Sequence, residues 1–348
     1  MNLKNGILAM DVGSGTQDIL VWRAGQRIEN CPKLILPSPT QIISRQVKAV
    51  TQKGHHLFLW GHTMGGGAST KAVREHISAG LRVFAMEQPA LTFHDRIDKI
   101  RSMGIEIVDK KPSIEPLDEL EMGDLNLAHI EQTLQRFHEP MPETVAVAVQ
   151  DHGYSPNMSN RVFRFEQWKK LLESGKSLTS LLYEKPPDHL TRMKAISDTA
   201  PGTLLMDTGA SAITGALLDP WVAEKSREGV TILNIGNEHV LAALVKKDTV
   251  WGIYEHHTSR MTPQKLMVHL ERFRLEDLSN REILDEMGHG CHIIPGARKI
   301  SAFSPVGITG PNREKFSALG GHMAAPFGDM MLTGCFGLVK AVQAKMDP

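Results

Sequence analysis

Short apolar runs, each cut off by glycine, proline or a polar cluster, recur along the chain and predict buried strands between helices. The first, 7–10, reaches Asp11 and returns over 18–22, which predicts a β-hairpin across 7–22. A strand at 34–36 is ended by Pro37 and Pro39, and Thr40 caps a helix predicted over 41–53. A strand at 56–60 runs into a glycine-rich stretch, 61–70, and a helix over 71–79. Strands at 81–85 and 105–108, with a helix at 91–102 between them, give the βαβ alternation of a parallel sheet. The charged, proline-broken 110–116 predicts a surface loop. Leu120, Leu125, Leu127, Ile130 and Leu134 recur at helical spacing and predict a helix over 117–137, interrupted at Gly123. Val-Ala-Val-Ala-Val at 145–149 predicts a buried strand. Helices follow at 165–172 and 190–197, then a strand, glycine turn and helix over 204–218. A second hairpin is predicted at 231–245, then a strand at 250–255 and a helix at 263–274. A strand ending in a turn (303–313) and a small-residue helix (326–342) complete the pattern.

The chemistry concentrates where these elements turn. Between the limbs of the first hairpin lie Gly13, Ser14, Gly15 and Thr16, with Asp11 before them and Asp18 after. Glycines let backbone N–H groups approach a phosphate, hydroxyls add donors, and Asp11 is placed to hold the shell of a Mg²⁺ ion. The second hairpin repeats the design with Asn234, Gly236 and Asn237. Asp207 and Gly209 offer a rival second loop. The later hairpin is preferred because a third strand and a helix follow it. Gly65, Gly66 and Gly67, ahead of Ser69 and Thr70 at a predicted helix start, form a candidate site for a second substrate. Asp151 and His152, just past the 145–149 strand, are candidates for acid–base work. His289, Cys291 and His292 are possible metal ligands, at separations shorter than structural zinc sites use. Asn160–Arg161 and Asn312–Arg313 each set an arginine beside a turn.

The 348 residues suit two domains rather than one core. Lys+Arg and Asp+Glu are equal at 39 each, so charge gives no case for nucleic acid or a membrane surface as partner. No stretch near residue 1 has the pattern of a signal peptide, and three scattered cysteines point to a reducing compartment. The expected location is the cytoplasm. Three isolated cysteines also fall short of the clustered set that holds a [4Fe–4S] centre.

The two hairpins resemble the paired phosphate loops of the sugar kinase, Hsp70 and actin superfamily. The chain as a whole is similar to a prokaryotic family within it, often labelled as a pyruvate formate-lyase activating protein. The likeness rests on 11–18, 65–70, 150–153, 207–210, 288–291, 309–313 and 328–331. It implies an α/β, two-domain actin-like ATPase fold, a duplicated ribonuclease H-like architecture with an interdomain cleft. It places residues 1–222, with an enlarged α/β insertion, in the first domain and 223–348 in the second. ATP and Mg²⁺ are the implied cofactors, and Gly310, Asn312 and Arg313 are implied to lie at the nucleotide. Asn234 stands where that superfamily often has an acid. Three functions follow as expectations. The first is an ATP-dependent phosphotransferase or ATPase, acting on a small molecule or protein, in which Asp151 orients the attacking group. The second is a nucleotide-gated activator with little turnover. The last is a metal enzyme centred on His289 and Cys291.

Overall fold

A computed structural model describes residues 5–346. The strands, in chain order, are β1 (Ile7–Val12), β2 (Thr16–Trp22), β3 (Lys33–Pro37), β4 (His56–Gly61), β5 (Val83–Ala85), β6 (Ile105–Ile107), β7 (Leu117–Met122), β8 (Thr144–Val149) and β9 (Leu204–Asp207). Then come β10 (Val230–Ile235), β11 (His239–Lys246), β12 (Thr249–His257), β13 (Gly290–Ile293), β14 (Val306–Thr309) and β15 (His322–Met323).

The first sheet has the order β3-β2-β1-β8-β9. β1 and β2 pair antiparallel from Ile7↔Trp22 to Val12↔Gln17, while β8 lies parallel to β1 on its other side. Alternation along β1 explains why it is apolar throughout. Ile7 and Ala9 enter one core, with the helices Asn160–Ser174, Thr208–Ala216 and Thr333–Met346. Leu8, Met10 and Val12 enter another, with Ile130, Leu134, Met193 and Ile196. Such a strand is covered on both faces and needs no polar side except at its functional end.

The second sheet has the order β13-β12-β11-β10-β14-β15. Apart from β13 it repeats the first sheet: an antiparallel three-strand meander, then two parallel strands beside the opening strand. Asp11 and Asn234 are equivalent in this duplication, each next to last in a six-residue opening strand. The stretch at 204–218 instead supplies β9, the fifth strand of the first sheet, and passes straight into a helix with Asp207 as its N-cap.

The four-stranded parallel sheet β6-β5-β4-β7, inserted between β3 and β8, has a core of its own. Here the structure departs from the sequence pattern. Residues 117–122 form β7, which pairs along six residues of β4, and only Leu127–Gln135 is helical. Leu120 continues at helical spacing into Leu127, Ile130 and Leu134, but an open sheet edge decides the conformation of 117–122. The single helix expected at 91–102 is replaced by Glu87–Ala90 and Ile97–Ser102, and the last helix begins at Thr333 rather than 326.

Between the two principal sheets the helices Thr208–Ala216 and Thr333–Met346 cross with their backbones touching. A Cβ on Gly215 would fall 1.8 Å from the Thr333 carbonyl oxygen, and one on Gly337 would fall 1.8 Å from that of Ser211. Only glycine permits this approach. No helix among the described residues is long and apolar enough to cross a membrane.

Candidate active site

A cleft of about 360 Å³ opens where the ends of β1, β8 and β9 face those of β10 and β14. The two hairpin turns form its rim and share one construction. Gly13 N–H donates to the Thr16 carbonyl at 2.9 Å, and Gly236 N–H donates to the His239 carbonyl at 2.8 Å. The turns meet, since a Cβ on Gly15 would lie 2.2 Å from Asn237 Nδ2. Ser38 Oγ donates to the Ser14 carbonyl at 2.8 Å and fixes the first turn to the helix that follows β3. Asn312 Nδ2 donates to the Gly236 carbonyl at 3.1 Å and braces the second.

Beneath the turns the register places Asp11 directly across from Asp18. Thr208 Oγ1 donates to Asp11 Oδ1 at 2.6 Å. A Cβ on Gly334 would lie 1.9 Å from Asp11 Oδ2, so the crossing helix closes the floor without a side chain. Burial pushes the Asp11 carboxyl up to about 6, against the Thr208 hydrogen bond. Burial, and then the neighbouring Asp11, push Asp18 up to about 8. Asp18 Oδ1 is buried without a hydrogen-bond partner. Facing carboxylates with an unsatisfied oxygen fit the oxygen ligand set of a hard divalent cation.

The far wall is held by buried ion pairs that the sequence did not announce. Arg164 Nε donates to Glu255 Oε2 at 2.7 Å and Nη1 donates to Asp207 Oδ2 at 2.8 Å. Burial alone would raise the Glu255 carboxyl, but Arg164 and the His239 hydrogen bond outweigh it and hold it well below the usual range. Arg192 pairs with Asp124 through Nε at 2.6 Å and donates from Nη1 to the Gln150 carbonyl at 2.9 Å. Asp124 Oδ1 also accepts from Gly65 N–H, which ties the glycine-rich loop to the same network.

Asp11, Gly13, Ser14, Thr16, Asp18, Gly65, Gly66, Gly67, Asp151, His152, Asn234, Gly236, Asn237 and Gly310 all line this one cleft. Others do not face it. Ser69 is fully buried and donates to the Gly66 carbonyl, while Thr70 packs against Gly66. These hydroxyls shape the loop rather than meet a ligand. Arg313 Nη1 donates to the Ala324 carbonyl, and Arg161 Nη1 to that of Gly288. Both oxygens of Asp151 accept backbone N–H groups, from Gly153 and Met193, each at 2.9 Å. Its geometry is therefore that of a turn clamp rather than a free base. The sequence reading missed Thr208, Glu255, Arg164, Arg192 and His239. Thr208, in Asp-Thr-Gly-Ala, and His239, in the second hairpin, sit in stretches that drew attention.

The Gly288–His292 stretch does not act as a unit. His289 points to His152, with their Nε2 atoms 3.1 Å apart. His289 precedes β13, and Gly290, at φ 144, breaks the extended backbone between it and Cys291. Within β13, alternation turns Cys291 into the second sheet's core, where Sγ donates to the Leu278 carbonyl, and His292 the other way, near Glu173. Cys31 and Cys335 are also buried, each donating to a carbonyl, of Arg27 and Asp18 respectively.

The repeated strand order and the cleft between its two copies are the architecture of the duplicated ribonuclease H-like, actin-like fold. By sequence the chain belongs to the family described as "Putative pyruvate format-lyase activating enzyme (DUF1786)", whose model matches residues 64–315. That span leaves the first hairpin outside. No curated protein matches the sequence. Similar solved structures include the ethanolamine utilization protein EutJ from Carboxydothermus hydrogenoformans, at 11% identity over 95% of this chain and 88% of that one, TM-score 0.30. The activator of 2-hydroxyisocaproyl-CoA dehydratase from Clostridium difficile, with bound ADPNP, is 9% identical over 99% of this chain and 98% of its own, TM-score 0.35. Component A of (R)-2-hydroxyglutaryl-CoA dehydratase from Acidaminococcus fermentans is 10% identical over 97% and 98%, TM-score 0.31. Likenesses this distant carry no functional argument.

Proposed function

We propose that the cleft binds ATP with Mg²⁺ and that the chain is an ATP-dependent phosphotransferase or ATPase. Residues 1–222 form its first domain and 223–348 its second. The observation that carries this reading is the contact of two like glycine turns, at Gly15 and Asn237, above the Asp11–Asp18 pair. In this reading the backbone of 13–16 and 236–237 cradles phosphate oxygens, and Ser14 and Thr16 add donors. Asp11 and Asp18 hold the cation shell, and Asn234 offers a neutral amide from the equivalent strand. Mg²⁺, when bound, supplies charge neutralisation for the phosphates and for the two facing acids. Gly310 borders the nucleotide, while Asn312 acts through the second turn. Gly65, Gly66 and Gly67 form the acceptor side, and Asp151 fixes the turn on which His152 enters. The family's activating-enzyme description is a poor guide to the reaction, because each of the three thiols is enclosed and bonded to a carbonyl.

Asp11→Asn should lower ATP turnover by about 100-fold or more. Its thermal midpoint should hold or rise, since burial already disfavours the charged carboxylate. Phosphate release assayed beside thermal denaturation checks this; parallel loss of fold and activity refutes it. A second reading, a nucleotide-gated activator, is favoured by the glycine-lined crossing of Thr208–Ala216 and Thr333–Met346. Two bare backbones there form a natural pivot between the sheets.

A further inference from the structure

We infer that His152, His239 and His289 form a binding site for one divalent transition-metal ion, of the zinc class, at the end of the cleft where the two sheets meet. The inference is independent of the nucleotide reading. The three residues come from the turn after β8, the start of β11 and the residue before β13, so no local motif announces them. One ligand atom from each lies within 4.8 Å of the other two. The Nε2 atoms of His152 and His289 are 3.1 Å apart. Two nitrogens bound to one zinc ion at roughly 2.0–2.1 Å, at tetrahedral or right angles, stand roughly 2.9–3.4 Å apart. The spacing is that of neighbouring ligands on one ion.

The surroundings orient the rings as a metal site requires. His239 Nδ1 lies 2.7 Å from Glu255 Oε1, which turns its Nε2 away from the carboxylate and leaves it available as a ligand. Glu255 is 1% exposed and is itself fixed by Arg164 Nε at 2.7 Å. The nearest carboxylate thus braces a ligand and balances charge, while the guanidinium is neutralised by Glu255 and Asp207. His257 closes the outer side, its ring centroid 4.7 Å from that of His289.

His152 and His239 both line the cleft, so an ion held by the three imidazoles would stand at the cleft wall. Three protein ligands and one open position are the pattern of a reactive rather than a structural zinc site, and the position would take a water or an anionic oxygen. Imidazole donors suit zinc, nickel, copper and iron, and select against magnesium.

The test uses the full-length protein without nucleotide, stripped with a chelator, loaded with Zn²⁺ and desalted. Elemental analysis should find about one zinc per chain. His289→Ala and His152→Asn should each weaken zinc binding by about tenfold or more, measured by competition with a chromophoric chelator. Cys291→Ser should retain the ion. Circular dichroism confirms each fold; if His289→Ala fails to fold, the half-buried His152→Asn decides. A wild-type protein that keeps well under a tenth of an ion per chain, or a folded His152→Asn that binds zinc as the wild type does, overturns the site.

Discussion

At the scale of single residues, the cleft is a set of titratable groups moved away from their ordinary range by burial and by each other. Asp18 is the clearest case: 7% exposed, facing a second acid, and pushed up to about 8 from 3.8. Between pH about 6.5 and 8 the folded chain holds a proton on Asp18 that the unfolded chain has released. Stability of the nucleotide-free protein therefore falls as pH rises through that window. Two histidines of the cleft have the opposite sign. His152 is lowered to about 3 and His289 to about 2, chiefly by burial, so they weaken the fold only as pH falls below 6.5. Thermal midpoints should drop by a few degrees from pH about 6.5 to 8, and Asp18→Asn should flatten that slope. An unchanged slope in the variant would remove Asp18 from the account. Residues of this kind were unevenly legible. Asp11 and the glycines stand in one local turn whose chemistry a sequence displays. Arg164 bonds Glu255 across 91 positions, and His152 meets His289 across 137, so their partnership exists only after folding.

At the scale of elements, the hairpins were readable because turn chemistry and alternating burial agree with the sheet they enter. β7 was not, because Leu-Asp-Glu-Leu-Glu-Met suits either period and the decision lies with the free edge of β4. The helix Thr208–Ala216 was read as following a glycine turn. In fact Asp207 caps it directly, accepting from the N–H groups of Gly209 and Ala210. The helix crossing rests on backbone contact, which gives a sharp expectation. Gly337→Ala forces a Cβ to within 1.8 Å of the Ser211 carbonyl oxygen. The helices must separate, at a cost of about 1–3 kcal/mol or more. Chemical denaturation should register it as a lower midpoint, and nucleotide affinity should fall with it because Gly334 shares the helix. A variant as stable as wild type would mean that the contact is looser than the geometry describes.

For the whole molecule, the shared core matters more than the nominal division into halves. Ile7, Ala9 and Leu204 of one sheet and Val230, Ile232 and Leu241 of the other belong to a single buried cluster, joined through the crossing helices. If the two sheets pivot on the helix crossing, the cleft between them should narrow when a ligand bridges its turns. Small-angle scattering should record a smaller radius of gyration with ATP and Mg²⁺ than without. Closure accompanied by negligible phosphate release would favour the gate over the enzyme, and no change on saturation would count against both. Gly334, beneath Asp11, has a further consequence for biosynthesis. A nascent chain cannot finish the core that Ile7 and Ala9 enter before the helix that closes the acidic floor has been made, so packing and competence for nucleotide arrive together. A ribosome-stalled or proteolysed fragment lacking that segment would be neither fully packed nor competent.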